Sequence, residues 1–203
     1  YISTNMPPLS APSTRTAFFV FPKEDLLQPT PSIANMTTFE DVSGATTGLT
    51  PHVAIDDRII FNQDLEVLSM FDTAAGTVQR TVNHGPPGVV QLLPGGQISV
   101  PGAAQPPDIV QPGAPVVADL ESNDSRFSAN PVLRNNELYA VQTIEDMGLA
   151  ALRFLRIDRT NNSVLESQVL IDPAGRGLAF PSIAVGPTGE IVITVTGASS
   201  SEF

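Results

Sequence analysis

Short runs of apolar and β-branched residues separated by polar turns recur along this chain, and the clearest set lies between Pro131 and Ile171. The pattern there predicts four strands, at Pro131–Leu133, Leu138–Ile144, Ala151–Asp158 and Val164–Ile171. Asn135 and Asn136 are predicted to form the first turn, because asparagine tolerates positive φ. The third run is apolar on both faces, which is typical of a strand packed between neighbouring sheets. Four strands in succession are the content of one β-propeller blade.

A second unit of the same kind is predicted between Thr50 and Val82. Arg58–Asn62 takes the place of the second strand and Leu65–Asp72 that of the third. Phe71–Val78 also matches Ile157–Val164: each has an apolar residue, an aspartate, a turn ending in Gly or Asn, a hydroxyl residue and a valine. We expect the aspartate to accept turn N–H bonds, while the Gly or Asn adopts the left-handed conformation.

Incomplete units are predicted on either side of these two. Near the start, Tyr1–Met6 and Thr16–Phe21 are predicted strands, and one irregular strand is expected near Ser32–Phe39. Near the end, Phe180–Val185 and Glu190–Thr196 are predicted strands joined by a Pro-Thr-Gly turn.

A long connection, His84–Ser128, separates the two complete units and is rich in proline and glycine. It is too long to be a simple turn. Val89–Leu93 and Gln97–Val100 are predicted to form a hairpin that completes the preceding blade. Gln105–Ala114 is expected to lie over the surface as extended, polyproline-like chain.

The chain is therefore predicted to be all-β and to form one partial β-propeller domain of about three blades with four-stranded antiparallel sheets. Residues 1–49 would end one blade, and residues 50–128 would hold a second blade and the long connection. Residues 129–172 would form the third blade, and residues 173–203 would start a fourth. Because a closed propeller typically needs about four to eight blades, we expect the chain to be a piece of a larger one.

Composition and charge narrow the classes of function. The 203 residues include 41% hydrophobic residues, 19 prolines and 15 glycines, which indicates a globular protein with many turns. A net charge of −11 disfavours nucleic acid as a partner. The sequence contains no apolar run long enough for a membrane helix, and without cysteine it has neither disulfides nor thiolate sites. An acidic chain that is poor in lysine and rich in Asn, Thr and Ser is typical of exported bacterial proteins, and any signal peptide would lie outside this sequence.

Several motifs together resemble a group of large exported bacterial β-propeller proteins of sialidase-like architecture, mostly without an assigned function. These motifs are Phe21-Pro22-Lys23, Asp124-Ser125-Arg126-Phe127, Asn130–Val141, Phe180–Val185 with Gly189, and Ser199–Phe203. The resemblance implies export, a six- or seven-bladed ring and a structural pair between Asp124 and Arg126 that starts a blade. It transfers no catalytic residue. One departure is that positions often occupied by Trp in the group are Tyr139 or aliphatic here.

A carbohydrate-active hydrolase is the alternative reading, and the sequence offers few residues for it. A sialidase would need an arginine cluster, for which four candidates exist: Arg126, Arg134, Arg153 and Arg156. A glycosidase would need paired carboxylates, which could come from Asp56-Asp57, Glu145-Asp146 or Asp119 with Glu121. Turn formation or solvation explains all these carboxylates more simply, so no catalytic residue is assigned.

The sequence offers equally little evidence for a metal or cofactor site. The segment Asp119–Asp124 could offer oxygen ligands to calcium, although it lacks the glycine and terminal glutamate of an EF-hand loop. His52 and His84 are the only histidines and are isolated, which argues against a zinc site. We therefore assign no metal or cofactor, with calcium as the one open possibility.

The sequence thus predicts a non-catalytic exported propeller at the cell surface or outside the cell. It would serve as a protein-interaction or structural module, for example within a surface assembly, with other protein chains as partners and carbohydrate as a candidate ligand.

Overall fold

A computed structural model describes residues 2–6, 15–56, 64–86, 88–113 and 115–202. Over these ranges the chain is all-β, as predicted, with two one-turn helices. The elements in chain order are β1 Ile2–Met6, β2 Arg15–Val20, α1 Lys23–Leu26, β3 Thr37–Ser43, α2 Gly44–Thr47, β4 Leu49–Val53, β5 Ile55–Asp56, β6 Leu65–Asp72, β7 Thr77–His84, β8 Gln91–Ser99, β9 Val132–Arg134, β10 Glu137–Asp146, β11 Leu149–Asp158, β12 Val164–Leu170, β13 Gly177–Val185 and β14 Ile191–Ala198.

These strands form four sheets, numbered here in chain order. The first sheet has the order β1-β2-β3, the second β4-β6-β7-β8, the third β12-β11-β10-β9-β5 and the fourth β13-β14. Neighbouring strands are antiparallel, apart from the short parallel pair β5 and β9. Through that pair the chain leaving β4 adds one short strand to the third sheet. Among the described residues, neither α1 nor α2 approaches the length and apolarity that a membrane crossing requires.

The third sheet confirms the four strands predicted between Pro131 and Ile171. Asn135 and Asn136 form the first turn with φ of 49° and 67°. Two consecutive positive φ values are typical of the two-residue hairpin turn whose twist matches that of the flanking strands. Met147 and Gly148 make the next turn in the same way, with φ of 52° and 81°, so β10 and β11 extend further than the sequence indicated.

The second sheet corrects two expectations. Leu65–Asp72 lies directly beside β4 and is therefore the second strand of its sheet, not the third. The expected strand Arg58–Asn62 lies outside the described residues. The predicted hairpin at Val89–Leu93 and Gln97–Val100 is wrong, because β8 runs through as a single strand beside β7. A register shift at Arg80/Thr81 accommodates the Pro-Gly-Gly segment in the middle of β8, where proline cannot donate to the ladder.

The matching turns of the two units have the expected hydrogen bonds and positive φ, but they join different strands of their sheets. The Asp72 carboxylate accepts from the Ala75 N–H at 2.9 Å, and the Asp158 carboxylate accepts from the Thr160 N–H at 2.7 Å. Gly76 and Asn162 have φ of 69° and 61°. However, the first turn joins the second and third strands of its sheet, whereas the other joins the third and fourth. The likeness is therefore one of local turn chemistry.

The first and fourth sheets agree with most of the remaining predictions. β1, β2 and the β13–β14 hairpin lie where strands were expected. The irregular strand expected near Ser32–Phe39 is β3, which starts later, at Thr37, and pairs with β2 through a register shift between Thr16 and Phe18. Gln105–Ala114 was expected to lie over the surface, but Ile109 forms an antiparallel bridge with Leu120 and is buried, so this part of the connection contributes to the core.

Apolar faces pack the second, third and fourth sheets one upon another in chain order. The core between the second and third sheets contains Leu68, Met70, Val78, Ile98, Leu133, Leu138, Leu155 and Ile157. The core between the third and fourth sheets contains Val132, Tyr139, Val141, Leu152, Phe154, Ile183 and Val185. The first sheet contacts the second through β1 beside β4, and through α2 beside β6 and β7. The third sheet is covered on both faces, as its doubly apolar strands predict.

Candidate functional site

A cleft of about 390 Å³ opens where three chain segments meet beside the second and third sheets. The segments are the end of β6 with the following turn, the chain after β8, and the chain that precedes the third sheet. The cleft is lined by Met70, Phe71, Asp72, Thr73, Gln105, Asp124, Ser125 and Arg126. It combines an apolar wall with donors and acceptors, which is the usual composition of a ligand site.

The apolar wall depends on a β-bulge at the end of β6. Met70 pairs with Val78 and Asp72 pairs with Thr77, so Phe71 is the extra residue on its strand. A bulged residue is unpaired, and its side chain is redirected relative to the regular alternation. Phe71 is 39% exposed at the cleft, whereas Met70 beside it is buried.

The charged wall is the pair Asp124 and Arg126. Arg126 donates to the Asp124 carboxylate through its backbone N–H at 2.9 Å and through Nε at 2.6 Å. Partial burial alone would raise the pKa of Asp124, but the hydrogen bonds and the charge of Arg126 outweigh it and hold that pKa below its usual range. The same hydrogen bonding raises the pKa of Arg126. Both groups are therefore charged at neutral pH, and the pairing implied by the resemblance is confirmed.

Backbone hydrogen bonds join the turn after β6 to the chain after β8. The Ala103 N–H donates to the Thr73 carbonyl at 2.9 Å, and the Val100 N–H donates to the Gly76 carbonyl at 2.8 Å. A side chain at Gly102 would come within 2.3 Å of the Ala74 carbonyl oxygen. The two segments consequently approach as closely as backbone allows, and this wall of the cleft is firmly held.

Buried polar side chains support the same walls from beneath. Arg153 is 2% exposed and donates to the carbonyls of Pro101 and, at 3.5 Å, Gly102. Gln142 is fully buried and donates to the Ser125 carbonyl at 2.7 Å, and the Ser125 hydroxyl donates to the Ala104 carbonyl at 2.8 Å. Burial lowers the pKa of Arg153. Hydrogen bonds from a rigid sheet thus fix the segments that carry the cleft.

No family model, curated protein or solved structure matches this chain.

The four candidate arginines do not form a cluster. Arg126 pairs with Asp124 in the cleft, and Arg153 lies beneath the wall. Arg134 donates to the Val185 carbonyl at 3.1 Å, and Nε of Arg156 lies 3.6 Å from Oε2 of Glu137. Because Arg153 and Arg156 are three residues apart on β11, they point to opposite faces of the sheet.

The candidate carboxylate pairs are also dispersed. Glu145 accepts from the Gly148 N–H at 2.7 Å and so stabilises the β10–β11 turn, as the simpler reading predicts. Asp56 ends β5, whereas Asp57 lies outside the described residues. Asp119 and Glu121 lie in the long connection and are not part of the cleft lining.

The structure describes the proposed metal ligands without bringing them together. Among the described residues there is no group of three or more His, Asp or Glu side chains placed to hold a metal ion. Within the candidate calcium segment, Asp124 is paired with Arg126. Nδ1 of His52 is 3.2 Å from Oδ1 of Asn130, and Nδ1 of His84 is 2.5 Å from Oδ1 of Asp64. Calcium binding stays a prediction.

The sequence did not predict a buried ion-pair network around Glu66 that connects the second and third sheets, which we call the Glu66 joint. The Glu66 carboxylate, 1% exposed on β6, accepts from Nε of Arg80 at 2.6 Å and from Nε of Arg159 at 2.5 Å. Asn162 joins the same network, since Arg80 donates to its side chain at 3.0 Å and it donates to the Gly95 carbonyl at 2.8 Å. A charged residue in the otherwise apolar face of β6 was the available signal.

Proposed function

We propose that this chain contributes consecutive blades to a β-propeller of an exported bacterial protein, related to the sialidase-like group that its motifs resemble. In this proposal the propeller is a non-catalytic interaction or structural module at the cell surface or outside the cell, and its partners are other protein chains.

The order of the sheets supports the blade assignment. The second sheet consists of four antiparallel strands, and β9 to β12 of the third sheet follow one another as neighbours. The sheets then pack face to face in chain order through apolar cores. A succession of four-stranded sheets packed in this way is how propellers are built.

The pairing of the cleft carboxylate Asp124 with Arg126 is the observation that supports the non-catalytic part of the proposal. Four carboxyls have a pKa below the usual range because they accept hydrogen bonds or pair with arginine: Asp124, Asp158, Asp172 and Glu190. A glycosidase needs a carboxylic acid whose pKa is raised, so that it can donate a proton to the leaving group. In these four groups the pKa is lowered, which does not suit a proton donor.

The exposed face of the fourth sheet supports a role in protein interaction. Four apolar side chains of this sheet, Phe180, Ile191, Val192 and Val195, are between 39% and 59% exposed. By strand alternation, Val192 lies on the face opposite that of Ile193, which packs against the core. β14 pairs with β13 along one edge, and in the proposed blade further strands would pair along the other. Exposed apolar surface of this kind is typical of contact sites.

Site-specific photo-cross-linking tests the interaction. A photoreactive residue in place of Val192 should form a discrete adduct with another protein chain in the cells that make the protein. The same residue in place of Met147, which is 88% exposed on the β10–β11 turn, should not. Equal adducts at both positions, or none at Val192, would contradict an interaction through the fourth sheet.

Hydrolysis assays test the absence of catalysis. Incubation with 4-nitrophenyl glycosides and with a fluorogenic sialoside should release no chromophore above the rate of the heat-unfolded protein. Release that disappears on Asp124→Asn substitution would instead establish the hydrolase alternative.

A further inference from the structure

We propose that the cleft beside Phe71 binds a neutral saccharide. This rests on the proposed function, in that the cleft would hold its ligand without transforming it.

Phe71 supplies the first feature that such a ligand needs. One face of a pyranose ring presents C–H groups, which pack well against an aromatic ring. Phe71 is directed to the cleft by a bulge and is 39% exposed, so its ring can be covered by a ligand. Covering an exposed aromatic ring removes apolar surface from water, and this burial contributes favourably to the free energy of ligand binding.

The polar lining supplies the second feature, a mixture of donors and acceptors. The Asp72 carboxylate has spare acceptor positions, because the Ala75 N–H occupies only one. Arg126 has five N–H donors, and Asp124 does not use all of them. Gln105 contributes an amide that both donates and accepts. Adjacent hydroxyl groups of a sugar, each both donor and acceptor, suit this arrangement.

Charge distinguishes a neutral sugar from an anionic ligand. The cleft holds two carboxylates and one guanidinium, and that guanidinium is already paired with Asp124. The whole chain has a net charge of −11. A sialic acid or a phosphate would therefore meet repulsion both locally and at long range.

Size and rigidity agree with this class of ligand. The volume of about 390 Å³ lies at the small end of ligand pockets, which span about 300–1,000 Å³, and would accommodate one or two sugar rings. Arg153 and Gln142 hold the walls from the sheet beneath, so little ordering is needed on binding.

Saturation-transfer NMR at millimolar ligand concentration tests the proposal with five probes: D-glucose, D-galactose, D-mannose, N-acetylglucosamine and N-acetylneuraminic acid. At least one neutral sugar should give a saturable signal, and Phe71→Ala should weaken its affinity about tenfold. Phe180→Ala is the matched control, since Phe180 is also 39% exposed but lies on the fourth sheet, and it should leave the affinity unchanged.

The proposal is overturned if none of the four neutral sugars binds, if only N-acetylneuraminic acid binds, or if the two phenylalanine variants behave alike. These outcomes are separate from the failure of the proposed function. Binding accompanied by hydrolysis of the matching 4-nitrophenyl glycoside would remove the non-catalytic role and keep the ligand class. A lack of both binding and hydrolysis would remove the ligand class alone.

Discussion

Three buried polar side chains fix the positions of neighbouring segments. Glu66, Gln142 and Arg153 are each 2% exposed or less, and all three lie within strands. Burying such groups is costly unless they are paired. Glu66 pairs with two arginines, and Nε2 of Gln142 and the Arg153 guanidinium donate to backbone carbonyls of neighbouring segments. Among the described residues, Oε1 of Gln142 has no hydrogen-bond partner. These residues therefore specify how the sheets and the cleft segments fit together.

Tyr139 gives a spectroscopic test at the scale of one residue. Burial raises its pKa to about 12, with further contributions from the hydrogen bond to Glu137 at 2.7 Å and from the charge of that carboxylate. Because this value lies above the ordinary 10.0, the folded state retains the proton longer than the unfolded state does. The resulting stability is complete below pH 10 and is lost as the pH rises toward 12.

Phenolate absorbance during alkaline titration measures this pKa directly, since the chain has no tryptophan and only two tyrosines. We expect a late phenolate step that is absent in Tyr139→Phe and moves to lower pH in Glu137→Gln. A late step that is unchanged by Glu137→Gln would show that the glutamate does not act on the phenol.

At the scale of elements, the turn after β6 connects the second sheet to the cleft. Its carbonyls accept N–H bonds from the chain after β8, and its last residue, Gly76, has φ of 69°. A Cβ atom at Gly76 would lie 2.0 Å from the Val100 carbonyl oxygen. Glycine is therefore required both by backbone conformation and by close approach.

Gly76→Ala should lower the free energy of unfolding by about 2–4 kcal/mol, because strain and overlap with backbone combine. Gly175→Ala is the control: Gly175 has φ of 76°, but nothing lies within 4 Å of the added methyl group. Its cost should be only the left-handed conformation, ~1 kcal/mol. Urea denaturation of both variants checks the difference, and equal losses would contradict the close contact.

Residues close together in the sequence predicted most individual strands and turns. They did not predict features that depend on contacts between residues far apart in the sequence. The turns at Asn135 and Asp158 follow from residues adjacent in sequence, so the third sheet could be predicted strand by strand. The order of the second sheet could not, because β4 pairs with β6 across an intervening segment. The hairpin expected within β8 failed for a related reason, since pairing with β7 overrides the breaking tendency of Pro94.

The cleft could not be predicted from the sequence, because its lining residues come from distant parts of the chain. The pair of Asp124 and Arg126 was expected only because the resemblance to exported propeller proteins implied it. Phe71 and Gln105 had no signal, since a bulge and the return of the long connection bring them together. Likewise, Arg159 is 93 residues from Glu66, and only the packing of sheets makes them partners.

For the whole molecule, face-to-face packing of the second and third sheets underlies both the cleft and the proposed blade order. The apolar core between them is closed at one end by the Glu66 joint. The Glu66 side chain is inaccessible to solvent, whereas Arg80 and Arg159 are 12% and 21% exposed. Removing the carboxylate should therefore leave two cations poorly compensated, at a cost of ~3 kcal/mol.

A double-mutant cycle between Glu66→Gln and Arg159→Gln, read by urea denaturation, measures that packing most directly. Glu66 lies on β6 and Arg159 follows β11, so they can interact only if the two sheets meet as described. The control cycle pairs Glu66→Gln with Arg156→Gln, which lies on the opposite face of the third sheet beside Glu137 and should be additive. We predict a coupling of about 0.5–3 kcal/mol for Glu66 with Arg159. Additivity of that pair within about 0.5 kcal/mol would contradict the stacking of the two sheets.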